Sequence, residues 1–280
     1  MNRRSRAALA AHTDQIVATG SYATAGATVD LSATLAAARQ ASHLHLPDDH
    51  VAAPSGAAER SGRIEVTAET TLAAARRVDA ERGATGGEGP TAPRVAVLNF
   101  ASAKHPGGGY RSGSQAQEES IARSSGLVTC QEQVTGFYDF HRWQSDPVYS
   151  HRVICSPGVP VFRDDAGALL DAPYLVDVLT AAAPNAGALR DRRSAVDVGA
   201  VLRDRAQRVL AIAASHGTTH LVLGAWGCGV FRNDPAVVAE TFRHHLAGGF
   251  RGSFDQVTFA IFDPIPGAPV RTTFERLLTH

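Results

Sequence analysis

Few cysteines, no net charge and no long apolar run characterise this sequence of 280 residues. Its three cysteines are widely spaced, which excludes a disulfide-stapled scaffold and is typical of a reducing compartment. The 27 basic and 27 acidic residues cancel, so no global field attracts nucleic acid or an acidic membrane. Asp14 interrupts the alanine-rich beginning before an apolar run of signal-peptide or transmembrane length develops. We therefore expect a soluble, monomeric, cytoplasmic protein without a nucleic-acid or membrane partner.

What the sequence does contain is an alternation of strand and helix patterns after residue 62. Strands are predicted at residues 63–67, 94–100, 152–155, 174–180, 220–225 and 256–262. Helices are predicted at residues 71–81 and 198–216, after residue 233 and at the C-terminal end. Before residue 62, two alanine-rich helices end near Gly20 and Ala41, and residues 48–62 read as an exposed connection. The pattern predicts an α/β domain over residues 63–280, with an N-terminal helical extension over residues 1–62 packed on it.

Three consecutive glycines follow the predicted strand 94–100, in a loop that reads PGGGYRSGSQAQEE at residues 106–119. Such glycines cost conformational entropy, so a chain that keeps them needs positive φ or close backbone approach. Ligands of α/β sheets bind where the strands end. Although a bare triple glycine is often only a flexible surface loop, its position between a buried strand and a helix favours a site. We expect the N–H groups of Gly107–Gly109 to face a sugar or a phosphate.

Glu118 and Glu119 begin the helix after this loop. Acidic residues at a helix N-terminus often only complement the helix dipole. Beside a loop that holds a sugar, the pair is instead a candidate for acid–base chemistry, because like charges and burial raise the pKa of a carboxyl. Neighbours on a helix point roughly 100° apart, so the two cannot flank a glycosidic bond symmetrically. One is expected to protonate the leaving oxygen while the other holds ribose hydroxyls.

A second glycine loop, GAWGCGVFRNDP at residues 224–235, follows the strand 220–225 and leads into a helix. Its N–H groups and the helix dipole favour an anion such as a diphosphate. The loop matches neither a Walker motif nor the dinucleotide fingerprint. Cys228 has no obvious base nearby, so a small residue in a tight loop is the better interpretation. The histidine pairs 43/45 and 244/245 lack cysteines or carboxylates at zinc-site spacing, so no metal and no cofactor are expected.

The motifs as a set resemble the poly(ADP-ribose) glycohydrolases, which have the macrodomain fold and a GGG…QEE signature. Residues 122–127, 149–165, 183–187 and 224–235 resemble the bacterial branch, and TGSY at residues 19–22 resembles its helical extension. The resemblance implies a three-layer α/β/α sandwich with a mixed central sheet. It also implies an enzyme that hydrolyses ribose–ribose O-glycosidic bonds from chain ends and releases ADP-ribose. The implied partners are poly(ADP-ribose), ADP-ribose and ADP-ribosylated proteins.

The resemblance assigns a role to each matching residue. Glu119 would be the catalytic acid–base, and Glu118 would bind ribose hydroxyls next to the scissile bond. Asn99 would contact the ribose, and Gln117 would help to shape the catalytic loop. The diphosphate and distal ribose would be contacted by Gly107, Gly108 and Gly109. The second loop would contact the diphosphate and sugar through Gly227, Cys228, Gly229, Val230 and Phe231, and Phe262 would contact the adenine. His105 stands where the family pattern has Asn, which bears on loop geometry and leaves the glycines and glutamates intact.

Two other functions would use the same glycine loops. One is a macrodomain that binds ADP-ribose without cutting it, and the other is a hydrolase of the mono-ADP-ribosyl–protein link. A fold alone does not settle function. The adjacent glutamates favour an enzyme over a binding module, because binding alone does not require them, and the QEE segment favours polymer cleavage.

Overall fold

The computed structural model describes residues 1–51, 62–84 and 95–279. In this part of the chain the strands are β1 (Ser21–Ala23), β2 (Thr28–Asp30), β3 (His43–His45), β4 (Arg63–Thr67), β5 (Val95–Phe100), β6 (Val153–Arg163), β7 (Leu169–Ala181), β8 (His220–Leu223) and β9 (Gln256–Ala260). The helices are α1 (Arg3–Thr19), α2 (Ser32–Ala41), α3 (Thr71–Ala84), α4 (Gln117–Ser124), α5 (Leu127–Gln133), α6 (Thr135–Gln144), α7 (Ala186–Asp191), α8 (Val198–Ser215), α9 (Pro235–Ala247) and α10 (Pro269–Leu278). No helix among the described residues is long and apolar enough to cross a bilayer.

A seven-stranded mixed sheet in the order β3-β6-β7-β5-β8-β9-β4 forms the centre of the fold. The five strands from β7 to β4 are parallel, whereas β6 runs antiparallel to both β7 and β3. The carboxyl ends of β5, β8 and β9 therefore lie at one edge of the sheet. The loops that follow these three strands meet there, as the sequence predicts.

Helices cover both faces of the sheet, which confirms the predicted α/β/α sandwich. On one face, α8, α9 and α10 bury Val209, Phe242 and Phe274 against the sheet. On the other face, α3, α4 and α5 bury Val78, Ile121 and Leu127. Each helix thus supplies one apolar face, and the catalytic candidates on α4 sit in the second of these layers.

Capping residues set the ends of several predicted helices. Gly20 ends α1 in the left-handed conformation at φ 74°, where its N–H donates to the carbonyl of Ile16. The Asp234 carboxylate accepts a hydrogen bond from Ala236 N–H, and Pro235 occupies the first turn of α9. Both ends agree with the sequence prediction.

The N-terminal segment is more than a pair of helices. A hairpin, β1 and β2, separates α1 from α2, and the Tyr22 hydroxyl donates to the Leu170 carbonyl of β7 at 2.6 Å. Strand β3 then pairs with β6, so this segment supplies an edge strand of the central sheet. The division at residue 62 stays a prediction, and residues 52–61 of the expected connection lie outside the described residues.

Candidate active site

Glu118 lies at the centre of a buried polar cluster where β5 ends. Its Oε1 accepts hydrogen bonds from Asn99 Nδ2 at 3.1 Å and Gln131 Nε2 at 3.2 Å, and its Oε2 accepts one from Ser102 N–H at 2.5 Å. The side chain is almost fully buried. Burial raises the pKa of the Glu118 carboxyl to about 8, and the charge of Glu119 acts in the same direction, whereas the hydrogen bonds from Ser102, Asn99 and Gln131 oppose the rise.

Glu119 lies beside Gly108 and remains partly exposed. Its Oε1 accepts a hydrogen bond from Gly109 N–H at 3.0 Å. Gly108 has φ 58°, and a Cβ at this position would come within 2.5 Å of Glu119 Oε1 and 3.1 Å of Glu118 Oε2. Glycine is thus required here on two grounds, positive φ and the approach of both carboxylates to the backbone.

All three glycine N–H groups of the first loop already have protein acceptors. Gly107 N–H donates to Gln131 Oε1 at 2.8 Å, Gly108 N–H to the His105 carbonyl at 3.0 Å, and Gly109 N–H to Glu119. This differs from the expectation that these groups face a sugar or a phosphate. The physical reason is that Gly108 N–H closes the turn itself, while the N–H groups of Gly107 and Gly109 are taken by the neighbouring side chains. The glycines have no side chains, so a ligand can approach their backbone closely. Their contacts with a diphosphate and a ribose stay predictions.

Gln117 and Asn99 both fasten the loop to β5. The Gln117 amide donates to the Leu98 carbonyl at 2.7 Å and to Thr71 Oγ1 at 3.1 Å, and its oxygen accepts from Phe100 N–H at 2.9 Å. This geometry agrees with the expected role of Gln117 in shaping the loop. Asn99 is fully buried, and its side-chain amide donates to Glu118 Oε1 and to Thr180 Oγ1. Its contact with a ribose stays a prediction.

The second glycine loop differs from the first, because several of its N–H groups are available. In the described part of the chain, the N–H groups of Gly229, Val230 and Phe231 donate to no protein acceptor. Gly227 has φ 72° and lies against Ala183 and Asn233, which leaves no room for a Cβ. Such a row of outward donors is typical of an anion-binding nest. The geometry supports the expected diphosphate loop, and its contact with a diphosphate stays a prediction.

A cleft of about 950 Å³ runs along this edge of the sheet, a volume suited to a small-molecule ligand. Its walls include Gln117 from α4, the loop 225–231 and residues 260–265. Phe262 lines the cleft and is 66% exposed, so the face of its ring is accessible for stacking with a ligand base. Phe231 also lines it, with its ring centroid 5.7 Å from that of Tyr149. Glu118, Glu119 and the three glycines are not part of these walls.

Cys228 shows no nucleophilic character. Burial, reinforced by the charge of Asp234, raises the pKa of its thiol to about 12. A thiol with a raised pKa stays protonated near neutral pH and is a weak nucleophile. The interpretation of Cys228 as a small residue in a tight loop agrees with this environment.

Helix α1 braces the loop between the glycines and the glutamates. Asp14 accepts hydrogen bonds from the Tyr110 hydroxyl and from Arg111 Nε. From the same helix, Arg3 donates to the Ser112 carbonyl at 2.9 Å and Arg6 to the Gly113 carbonyl at 2.8 Å. The N-terminal helix therefore contacts the candidate catalytic loop directly, which the sequence pattern did not predict.

Sequence reasoning missed Gln131 and Ser102. Gln131 links Gly107 to Glu118 through one amide group and is fully buried. It lies on α5, a helix that the periodicity did not reveal. Ser102 contributes its backbone N–H, which carries no side-chain signature. The only sequence signal for Gln131 is that a glutamine follows the QEE segment.

Comparison with known proteins bears on this site. A family model for the catalytic domain of microbial-type PARG matches residues 10–164. The chain is similar to the crystal structure of poly(ADP-ribose) glycohydrolase from Thermomonospora curvata, with 51% sequence identity, a TM-score of 0.89 and coverage of 98% of this chain and 100% of that chain. No curated protein matched.

Two further solved structures contain ligands. The Thermomonospora curvata protein bound to the inhibitor ADP-HPD is 51% identical, with a TM-score of 0.88 and coverage of 98% of this chain and 99% of that chain. A poly(ADP-ribose) glycohydrolase from Deinococcus radiodurans in complex with ADP-ribose is 43% identical, with a TM-score of 0.79 and coverage of 92% and 98%. Because the family model spans more than half of the chain and the solved relatives cover nearly all of it, the chain belongs to the microbial-type poly(ADP-ribose) glycohydrolases, which have a macrodomain-like fold.

Proposed function

We propose that this chain cleaves ribose–ribose bonds from the ends of poly(ADP-ribose), with Glu119 as its acid–base residue. The observation that carries the choice of Glu119 is the unequal environment of the two carboxylates. Glu118 is buried, and both of its oxygens accept hydrogen bonds from protein groups. Glu119 is partly exposed and accepts one hydrogen bond, from Gly109 N–H. The group that must reach a leaving oxygen is the accessible one.

In this mechanism Glu119 moves a proton twice. It first donates a proton to the leaving 2′ oxygen of the neighbouring ribose, as the glycosidic bond breaks and positive charge develops on the distal sugar. Water then attacks the anomeric carbon and gives a proton to the Glu119 carboxylate. The carboxyl group is thereby restored to its starting state, and ADP-ribose is released.

Glu118 retains one hydrogen-bonding position for a ribose hydroxyl. Each oxygen of a carboxyl group can take part in about two hydrogen bonds, whether the group is ionised or protonated. Two donors reach Glu118 Oε1, whereas the Ser102 N–H alone reaches Oε2. Glu118 Oε2 would lie 3.1 Å from a Cβ on Gly108, so this oxygen is next to the glycine loop, where the sugar would bind in this proposal. This supports the proposed role of Glu118 in holding the ribose next to the scissile bond.

The second loop and the cleft supply the remaining contacts of the proposal. The outward N–H groups of residues 229–231 would bind the diphosphate, with Phe231 against the sugar and Phe262 against the adenine. We extend the proposal to a monomer that acts in the cytoplasm on ADP-ribosylated proteins, in the response to DNA damage. The reduced state of its three cysteines supports the choice of compartment.

The test compares wild type with Glu119→Ala on labelled poly(ADP-ribose), with released ADP-ribose separated by chromatography and ADP-ribose binding measured by calorimetry. We expect the variant to bind ADP-ribose as wild type does. Its rate of ADP-ribose release from the polymer should be ~10²–10⁴-fold lower, because this is the usual contribution of a general acid–base group. Glu240→Ala is the matched control, because Glu240 is an exposed glutamate on α9 whose observed partner is Arg243.

Each alternative function has its own outcome in this experiment. A wild-type chain that binds ADP-ribose and releases none from the polymer would be a binding module. Release from a mono-ADP-ribosylated protein, without release from the polymer, would indicate a hydrolase of the protein link. Normal cleavage by Glu119→Ala would show that the acid–base residue lies elsewhere.

A further inference from the structure

Three histidine rings and a thiol converge where strand β3 meets the end of helix α8. His43 Nε2 lies 3.0 Å from His45 Nε2, which lies 3.4 Å from His216 Nε2. The Cys155 sulfur, a ring nitrogen of His43 and a ring nitrogen of His216 all lie within 4.8 Å of one another. These four residues form the His–Cys cluster.

The sheet register explains how residues so distant in sequence meet. His43 and His45 are two apart on β3, so their side chains point to the same face. Cys155 is directly opposite His43 in the antiparallel pairing of β3 with β6. His216 is the residue that ends α8, the helix packed over that face. Spacing along the chain hides this arrangement, because the fourth residue lies more than a hundred positions after the first two.

We propose that the His–Cys cluster binds one Zn²⁺ ion. Zinc takes imidazole nitrogens and thiolate sulfur in tetrahedral sites. The ligand atoms of His43, His216 and Cys155 are mutually close, and His45 lies against the two other histidines. At zinc–nitrogen bonds of about 2.0–2.1 Å, tetrahedral geometry separates neighbouring ligand atoms by about 3.4 Å. The two nitrogen–nitrogen distances in the cluster, 3.0 and 3.4 Å, are close to that separation. The soft thiolate selects zinc over calcium or magnesium, which prefer oxygen ligands.

The surroundings prepare the rings for this role. His43 Nδ1 lies 2.9 Å from the Ala41 carbonyl, so a proton on Nδ1 leaves the Nε2 lone pair directed at the cluster. Neutral imidazole is the form that binds a metal.

The charges around the cluster act in both directions. Arg208 repels a cation. Asp49 acts on His45 and Asp177 on His216 with the opposite sign, and the C-terminus of α8 adds the negative end of a helix dipole. A thiolate ligand adds a further negative charge at the ion itself.

Zinc at this position would be structural. It would tie β3, which belongs to the N-terminal segment, to both β6 and α8. Cys155 lies in the apolar layer beneath α8, whereas Glu118 and Glu119 lie on α4 in the opposite layer. Removal of the ion is therefore expected to lower stability and to leave the chemistry of the glutamates unchanged.

The experiment uses the full-length chain without a histidine tag, stripped with a chelator and kept reduced. Zn²⁺ affinity is measured by competition with a chromophoric chelator, and Co²⁺ serves as a spectroscopic probe. We expect one equivalent of metal, the visible bands of tetrahedral Co²⁺ and a near-ultraviolet band from thiolate-to-cobalt charge transfer. Zn²⁺ should also raise the Tm.

Three variants and a control separate this proposal from adventitious binding. Cys155→Ser should lose the charge-transfer band, and His43→Ala and His216→Ala should each weaken Zn²⁺ binding by ~100-fold or more, since even outer-shell changes cost 10–100-fold. His244→Ala removes a histidine of the other sequence pair and should bind as wild type does. A wild type that lacks the charge-transfer band, or binds Zn²⁺ no more tightly than His216→Ala, would overturn the proposal. The two exposed histidine variants keep the test valid if Cys155→Ser fails to fold.

Discussion

A methyl group at Gly108 should disable catalysis more than it unfolds the protein. The added Cβ of Gly108→Ala would meet Glu119 Oε1 at 2.5 Å, whereas ordinary contacts begin at 3.4 Å. The carboxylate must therefore retreat by the difference, about 0.9 Å, and the 3.0 Å hydrogen bond from Gly109 N–H must stretch or break. A misplacement of about 1 Å costs on the order of 10²-fold in rate. This corresponds to about 2.7 kcal/mol of transition-state free energy.

The backbone contributes a separate penalty, which a second variant isolates. Alanine at φ 58° is strained by about 1–2 kcal/mol, because its Cβ crowds the carbonyl in the left-handed region. Gly217 has φ 72° and no atom within 4 Å of an added Cβ. Gly217→Ala therefore carries the same kind of backbone strain without the collision.

The assay is the initial rate of ADP-ribose release, measured beside urea unfolding of both variants. We expect similar losses in the free energy of unfolding and a fall of ~10²-fold in kcat for Gly108→Ala alone. If Gly108→Ala kept the rate of Gly217→Ala, the inference that Gly108 sets the position of Glu119 would be refuted. If Gly108→Ala and Gly217→Ala lost the same fraction of the rate, backbone strain would account for the loss.

Two further predictions concern the cluster around Glu118. Burial raises the pKa of Glu118 from 4.5 to about 8, so the free energy of unfolding of the wild type should fall as pH rises through that window. In urea unfolding, the stability of Glu118→Gln relative to wild type should therefore improve from pH 5 to pH 8. A difference that does not change with pH would contradict the raised pKa. Gln131→Leu strands Gly107 N–H and removes a donor to Glu118, so it should cost ~1–3 kcal/mol in the same assay. The exposed Gln133→Leu on the same helix should lower the free energy of unfolding by less than ~0.5 kcal/mol. If the two variants lost the same free energy of unfolding, the hydrogen bonds of the Gln131 amide would contribute little to stability.

The sequence predicted the elements with strong local patterns. The strand predicted at residues 94–100 corresponds to β5 (Val95–Phe100), a nearly unbroken apolar run, while the residues Asp234-Pro235 mark the start of α9. Strand β3 has only three residues, two of them histidines, so neither length nor apolar alternation indicates it. Its pairing with β6 depends on tertiary contacts that no local pattern reports.

The candidate site shows the same limit. The glutamates follow the glycines after a short loop, and the structure brings the two groups into contact. The hydrogen bonds that fix them come from elsewhere, such as Gln131 on α5 and Asp14 on α1. In the structure the N–H groups of the first glycine loop donate to the His105 carbonyl, the Gln131 amide and the Glu119 carboxylate, so their expected contact with a sugar or a phosphate stays a prediction. Sequence motifs therefore located the candidate site, and the fold determines its geometry.

The way strand β6 is covered bears on aggregation. Outer strands of a sheet are templates on which other chains can pair, and proteins blunt them with short strands, prolines and charges. Strand β3 pairs with the first three residues of β6, Pro157 and Pro160 carry no N–H, and Gly126 N–H donates to the Pro160 carbonyl at 3.0 Å. At the opposite side, β4 carries Arg63 and Glu65. Neither side offers a long flat row of backbone donors within the described residues, so high concentrations of this protein should resist growth into fibrils.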